Sequence, residues 1–176
     1  GLRGTLTAVA RTDTHRRLST NFMEVAKLVA ADGAAGDNFG WSVAIDGDTV
    51  VVGADLDDDA GSDERGSAYV FHRSDGGVTY GQVAKLAAAD AAGTWFGTSV
   101  AIDGDTVVIS GWGSVYIFRT TDSGATYAQV AKLTASDAAE DDFFGVSVAI
   151  DGDTIVVGAI NGTGHMSGSA YVFRTS

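Results

Sequence analysis

The sequence contains no cysteine and no proline in 176 residues. Without cysteine there is no disulfide framework, so stability must come from packing and hydrogen bonds. Without proline every residue keeps its backbone donor, which suits strands paired on both edges. No run of 18 apolar residues occurs, so no helical membrane span is expected. Positive charge is scarce. Eleven Lys and Arg face 23 Asp and Glu, for a net charge of −12. A polyanion is repelled by nucleic acid and by anionic lipid, so neither nucleic-acid binding nor membrane insertion is expected. Histidine is limited to His15, His72 and His165, none with a partner at metal-ligand spacing. No nucleophile elbow is present. The residue inventory therefore points away from an enzyme.

Hydrophobic residues make up 45% of the chain and Gly occurs 24 times. The first figure is enough for a real core, and the second suits many tight turns. Charge is unevenly spread. Residues 1–21 carry four arginines (Arg3, Arg11, Arg16, Arg17) against Asp13, a surplus of three positive charges, so the remainder carries −15. Residues 1–21 read as a basic arm suited to docking on an acidic body, its own or a neighbour's.

The chain repeats itself. VAKL occurs at 25–28, 83–86 and 130–133, and Phe-Gly at Phe39-Gly40, Phe96-Gly97 and Phe144-Gly145. SVAIDGDT is unchanged at 42–49, 99–106 and 147–154. A Val/Ile run follows each, and then Gly66 to Phe71, Gly113 to Phe118 and Gly168 to Phe173. The period of 58 and then 47 residues suits a four-stranded propeller blade. Four strands are expected per repeat, in the first at Ser42–Asp46, Thr49–Ala54, Ser67–Arg73 and Gln82–Ala87. The second is apolar on consecutive residues, as in a sheet covered on both faces. Asp46-Gly47, Asp103-Gly104 and Asp151-Gly152 are expected to form type I′ hairpin turns. Phe39, Phe96 and Phe144 are expected to fill the gaps between blades, each followed by a Gly that lets the next backbone approach.

Phe39-Gly40 followed by Val52-Gly53-Ala54 resembles the FG and GA halves of the FG-GAP repeat of integrin-type β-propellers, with Asp55, Gly111 or Ile160 where that family has its final Pro. The resemblance covers residues 25–176. It implies an all-β chain of three four-stranded antiparallel blades, at about 39–88, 96–135 and 144–176, within a domain spanning 22–176. It also implies a mostly extracellular and often adhesive setting. The third repeat has no VAKL strand after it, whereas residues 22–30 carry VAKL with no blade before them. The third blade is therefore expected to be completed by residues 22–30 of the same or a neighbouring chain. Val25, Ala26, Lys27 and Leu28 would meet Tyr171 and Phe173 by strand addition. A neighbouring chain gives a head-to-tail homo-oligomer, a filament in preference to a closed ring.

Other candidate sites lie in loops. Asp55, Asp57, Asp59 and Asp63 have the spacing of a calcium loop, since calcium needs several hard oxygen ligands on flexible backbone. A solvated acidic loop is the competing reading. Calcium-dependent binding of extracellular proteins or glycans is the alternative function. Asn161-Gly162-Thr163 is an N-glycosylation sequon, or a coincidence. Asp32, Asp90 and Asp137 recur after the VAKL strands and are expected to cap turns through backbone donors. Trp41, Trp95 and Trp112 are expected in the core or between blades, with a sugar platform at Trp95 and Trp112 as the alternative.

Overall fold

A computed structural model of the chain describes residues 22–58, 65–73, 76–88, 90, 95–137, 142–160 and 168–175. It contains eleven strands and, among the described residues, no helix. The first sheet holds β1 (Ser42–Asp46), β2 (Thr49–Ala54), β3 (Ser67–His72) and β4 (Gly81–Leu86). The second holds β5 (Val100–Asp103), β6 (Thr106–Gly111), β7 (Ser114–Arg119) and β8 (Ala128–Leu133). The third holds β9 (Ser147–Asp151), β10 (Thr154–Ala159) and β11 (Ser169–Arg174). Each sheet is an antiparallel meander in chain order. The third has three strands, with β11 at its edge. Residues 22–30 form no strand and do not pair with β11 within the chain. The basic arm at 1–21 lies outside the described residues.

The hairpin turns fall where expected but are of a different type. Asp46 pairs with Thr49, so the loop is Gly47-Asp48. Only Gly47 has positive φ, at 53°. Type I′ needs positive φ at both central residues, whereas type II′ places Gly first. The turn therefore follows the II′ pattern, and Gly104 and Gly152 repeat it.

The sheets stack face to face, and the consecutive apolar residues follow from that. The front of the second sheet carries Phe96, Val100, Ile102, Val107, Ile109, Tyr116 and Phe118. It packs on the back of the first, formed by Ala44, Val51, Ala68, Val70 and Ala84. The same interface recurs one repeat later, where Val108, Val115 and Ile117 meet Phe144, Val148, Ile155, Val157, Tyr171 and Phe173. Phe96 and Phe144 each sit edge-on to the Tyr and Phe of their own third strand, at 5.4 to 6.1 Å between centroids. Leu86 and Ala88 at the end of one blade reach the next front, as do Leu133 and Ala135. Leu28 and Ala30 do the same to the front of the first sheet, packing on Val52, Tyr69 and Phe71. Residues 22–30 thus take the place that a preceding blade's last strand holds at the other two fronts.

The middle of the stack is sealed and its ends are open. Val100 and Ile102 are 7% and 9% exposed, while their first-repeat counterparts Val43 and Ile45 are 67% and 65% exposed. On the far side Val70 is fully buried, while its counterpart Val172 is 65% exposed. Glycine shows the same asymmetry. A Cβ on Gly53 would lie 2.0 Å from the Gly97 carbonyl oxygen, whereas one on Gly158 would meet nothing closer than Ser147 Cβ at 3.6 Å. Gly53→Ala is therefore expected to destabilise by about 3 kcal/mol through backbone displacement. Gly158→Ala should stay within about 1 kcal/mol of the parent. Urea unfolding of dilute protein checks the contrast.

Candidate functional site

Two features of the stack carry the chemistry available to it, one repeated and one single. The first is a polar clasp at the outer edge of each blade. Lys85 on β4 stands opposite Tyr69 on β3, and Lys132 on β8 opposite Tyr116 on β7. Each ammonium lies over its tyrosine ring, at 5.3 and 5.2 Å from the centroid. Each also binds an aspartate that follows a VAKL segment, Asp32 after residues 22–30 and Asp90 after β4, both at 2.7 Å. These aspartates hydrogen-bond their own backbone, as expected of turn caps, and bridge to a lysine as well. In the third sheet Asp137 accepts instead from the Tyr171 hydroxyl at 2.9 Å. No lysine stands there among the described residues, and Lys27, the VAKL lysine with no blade before it, has no ion pair among them. A second link joins neighbouring hairpins. The Gly104 amide donates to the Asp46 carboxylate at 2.7 Å, and the Gly152 amide donates to Asp103.

The expected calcium loop is divided. Asp59 and Asp63 lie outside the described residues. Asp57 is buried and accepts from the Tyr69 hydroxyl at 3.0 Å and from Lys85 at 2.8 Å. Asp55, also buried, accepts from the Asn38 side-chain amide at 3.1 Å. The two described carboxylates thus serve different partners. Among the described residues no group of three or more His, Cys, Asp or Glu is placed to hold a metal ion. Asn161 lies outside the described residues.

The second feature is a cleft of about 500 Å³ where the Phe-Gly loops of all three repeats meet. Trp41, Trp95, Trp112 and Phe143 line it, with Asn38, Asp55 and Thr98 as its side-chain polar groups. The three tryptophans are 60%, 39% and 41% exposed, so of the two placements expected from the sequence they take the one between blades and not the core. Trp112 sits edge-on to Trp95 at 4.6 Å and to Phe143 at 4.9 Å. The residue before each Phe-Gly has positive φ, 58° at Asn38, 46° at Trp95 and 49° at Phe143. Asn tolerates that region, while a bulky aromatic is strained there by roughly 1 kcal/mol or more. The conformation lets the next Phe turn inward between sheets while Trp95 and Phe143 line the cleft. The sequence signal was the aromatic-Phe-Gly triplet in repeats 2 and 3.

The FG-GAP repeat family model matches at residues 22–71, 80–128 and 127–173. Among solved structures, the chain is similar to the crystal structure of Saccharomyces cerevisiae Sqt1, at 12% identity and a TM-score of 0.51. That similarity covers 80% of this chain and 32% of that one, so this chain spans about a third of its length, and the likeness is one of fold. Among curated proteins none matches.

Lys85 stands between two carboxylates, one of them buried, so removing it leaves the Asp57 charge unpaired. Lys85→Met is expected to cost about 3 kcal/mol, and adding Asp57→Leu to recover most of that. Lys132→Met, whose partner Asp90 is exposed, should cost much less. The hydrogen bonds from Lys85 and Lys132 hold the Asp32 and Asp90 carboxyls below their usual range. A lowered folded value gives stability that is present above the ordinary carboxylate pKa of about 4 and is lost as pH falls through the folded value. Both lysine variants should therefore flatten the fall in stability below about pH 4, measured by urea unfolding across acid pH.

Proposed function

The chain belongs to the FG-GAP repeat family, and on that footing we propose that it is a non-enzymatic binding module that assembles head to tail with copies of itself. In this reading the open back of the third sheet receives the open front of another copy's first sheet. Residues 22–30 of that second copy then add to β11 as its missing fourth strand. The observation that carries the reading is the split clasp. Tyr69 pairs with Lys85 and Tyr116 with Lys132 in register, so Tyr171 calls for Lys27 of the next copy. There Lys27 would also reach Asp137, completing the set that Asp32 and Asp90 complete inside the chain. The same register sets Leu28 opposite Ala170, Ala26 opposite Val172 and Glu24 opposite Phe173, with Val25 at the bulge that Val83 and Val130 occupy.

The remaining links are duplicated at the two ends. Asp151 carries the carboxylate that Asp46 and Asp103 use on the following hairpin, and the Gly47 amide is the matching donor. Gly158 keeps the position at which Gly53 admits the next blade's backbone. Exposed Val43 and Ile45 have the side chains that are sealed at Val100 and Ile102. An unpaired edge beside an apolar face is an association site in its own right. Such a contact is heterologous, giving a ring where the rotation closes and a filament where it does not. FG-GAP repeats are typical of extracellular and cell-surface proteins, and we place the assembly there, with a glycan expected at Asn161.

Sedimentation of the 176-residue chain over a wide concentration range tests the reading. Concentration-dependent association is expected. Lys27→Asp and Asp137→Lys should each weaken it roughly tenfold or more, because each sets like charges together. The double variant should restore association. Gly158→Ala should weaken association while leaving dilute-protein stability unchanged. A chain that stays monomeric at high concentration overturns the proposal. So does a double variant that associates no better than the single ones while retaining its β-sheet circular dichroism.

A further inference from the structure

The cleft at the Phe-Gly loops has a composition that selects its ligand. Its walls are overwhelmingly apolar and aromatic, and all three tryptophans of the chain line it. Asp55 stands in the wall, 6% exposed, with the Asn38 amide as its hydrogen-bond donor and no Lys, Arg or His ion-paired with it among the described residues. A carboxylate withdrawn from water without a countercharge is costly, so the site favours an incoming cation. The tryptophan ring is the best aromatic partner for a cation, and the net charge of −12 raises the local concentration of cations around the protein.

The walls then decide which cation. Calcium needs six to eight oxygen ligands, usually with several carboxylates. Asp55 is the one carboxylate among the described residues that line the cleft, with no metal-holding group of acidic or His residues among the described residues. A guanidinium brings five N–H donors and an ammonium three, most of which would go unpaired against Trp, Phe, Val and Gly. A quaternary ammonium has no N–H to satisfy, is weakly hydrated, and is the cation that aromatic walls recognise best. We propose that the cleft bounded by Trp41, Trp95, Trp112, Phe143 and Asp55 binds a trimethylammonium group, carried by a choline-type compound or by a trimethyllysine side chain. The aromatic walls hold the methyl groups and Asp55 supplies the countercharge. The cleft draws on all three repeats of one chain, so the proposal stands whether or not copies associate.

Because the chain's three tryptophans all line the cleft, intrinsic fluorescence of the full chain reports on this site directly. Titration with choline chloride, against sodium chloride at matched ionic strength, should give a saturable change. The neutral isostere 3,3-dimethylbutanol should bind roughly tenfold more weakly or worse, since it keeps the shape and lacks the charge. Asp55→Asn should bring choline down to the level of the neutral alcohol and leave the alcohol unaffected. Trp112→Leu should weaken both, with circular dichroism confirming that each variant is folded. Phosphocholine and a trimethyllysine peptide form separate arms, and the tighter of the two identifies the source. Equal binding of choline and its neutral isostere overturns the proposal, as does an Asp55→Asn variant with parental choline affinity. A stronger response to methylguanidinium or to calcium chloride than to choline also overturns it, as does the absence of any saturable change.

Discussion

The structure depends on a sheet that is apolar on both faces. Val51 and Val52 point to opposite sides of β2, and both are buried. No such sheet can be stable alone in water, because each face needs a cover. Stacking copies of the same sheet provides it, since the front of one repeat is shaped to the back of the one before. The close approach this requires explains the small residues. Gly53 is fixed by the Gly97 carbonyl of the next blade, and Gly66 by the Phe96 backbone, whose oxygen would lie 2.1 Å from an added Cβ. The Phe of each Phe-Gly pair then closes the remaining gap, and burying such a ring contributes roughly 2 to 3 kcal/mol.

Apolar stacking sets that the sheets meet, and polar links fix how. Hydrophobic contact has no direction, so two smooth faces could slide. The Asp46–Gly104 and Asp103–Gly152 hydrogen bonds tie successive hairpins at one end of the strands. The Asp32–Lys85 and Asp90–Lys132 pairs tie the outer edges. Ser42 adds a link in the middle, donating to the Gly97 carbonyl at 2.7 Å. Each of these exposed links is weak by itself, but together they specify one register.

Most of the fold was legible in the sequence because the repeat wrote it three times. Strand limits came within one or two residues, since SVAIDGDT fixes two strands and their turn in every copy. The turn type was misread because Asp-Gly was taken as the central pair, whereas the register puts Gly-Asp there. Residues 22–30 were expected as a strand, and form none within the chain because ladder pairing needs a partner the chain does not bring to them. Asp32 and Asp90 keep the hydrogen bonds to their own backbone expected of turn caps, and what the sequence did not show is their second role in the clasp. Local spacing can suggest a cap, but it cannot show that Lys85 lies 2.7 Å from an aspartate 53 residues earlier. Composition left the tryptophans open between the core and the gaps between blades. Only the loop geometry shows that Trp95 takes positive φ and stays partly exposed.

That geometry links the cleft to the packing beneath it. The Phe-Gly motif demands a sharp reversal, so the inward Phe needs a residue in left-handed conformation before it. Asn38 meets that demand at little strain, and its amide is free to hold Asp55. In the second and third repeats the same position carries Trp95 and Phe143, for which the conformation is strained. The two aromatics there pack edge-on against Trp112 and form the wall of the cleft. Stability is given up at Trp95 and Phe143 where all three repeats converge, beside a buried carboxylate that has no countercharge among the described residues. Strain of that kind, held in place by a rigid stack, is characteristic of a surface shaped for binding rather than for folding.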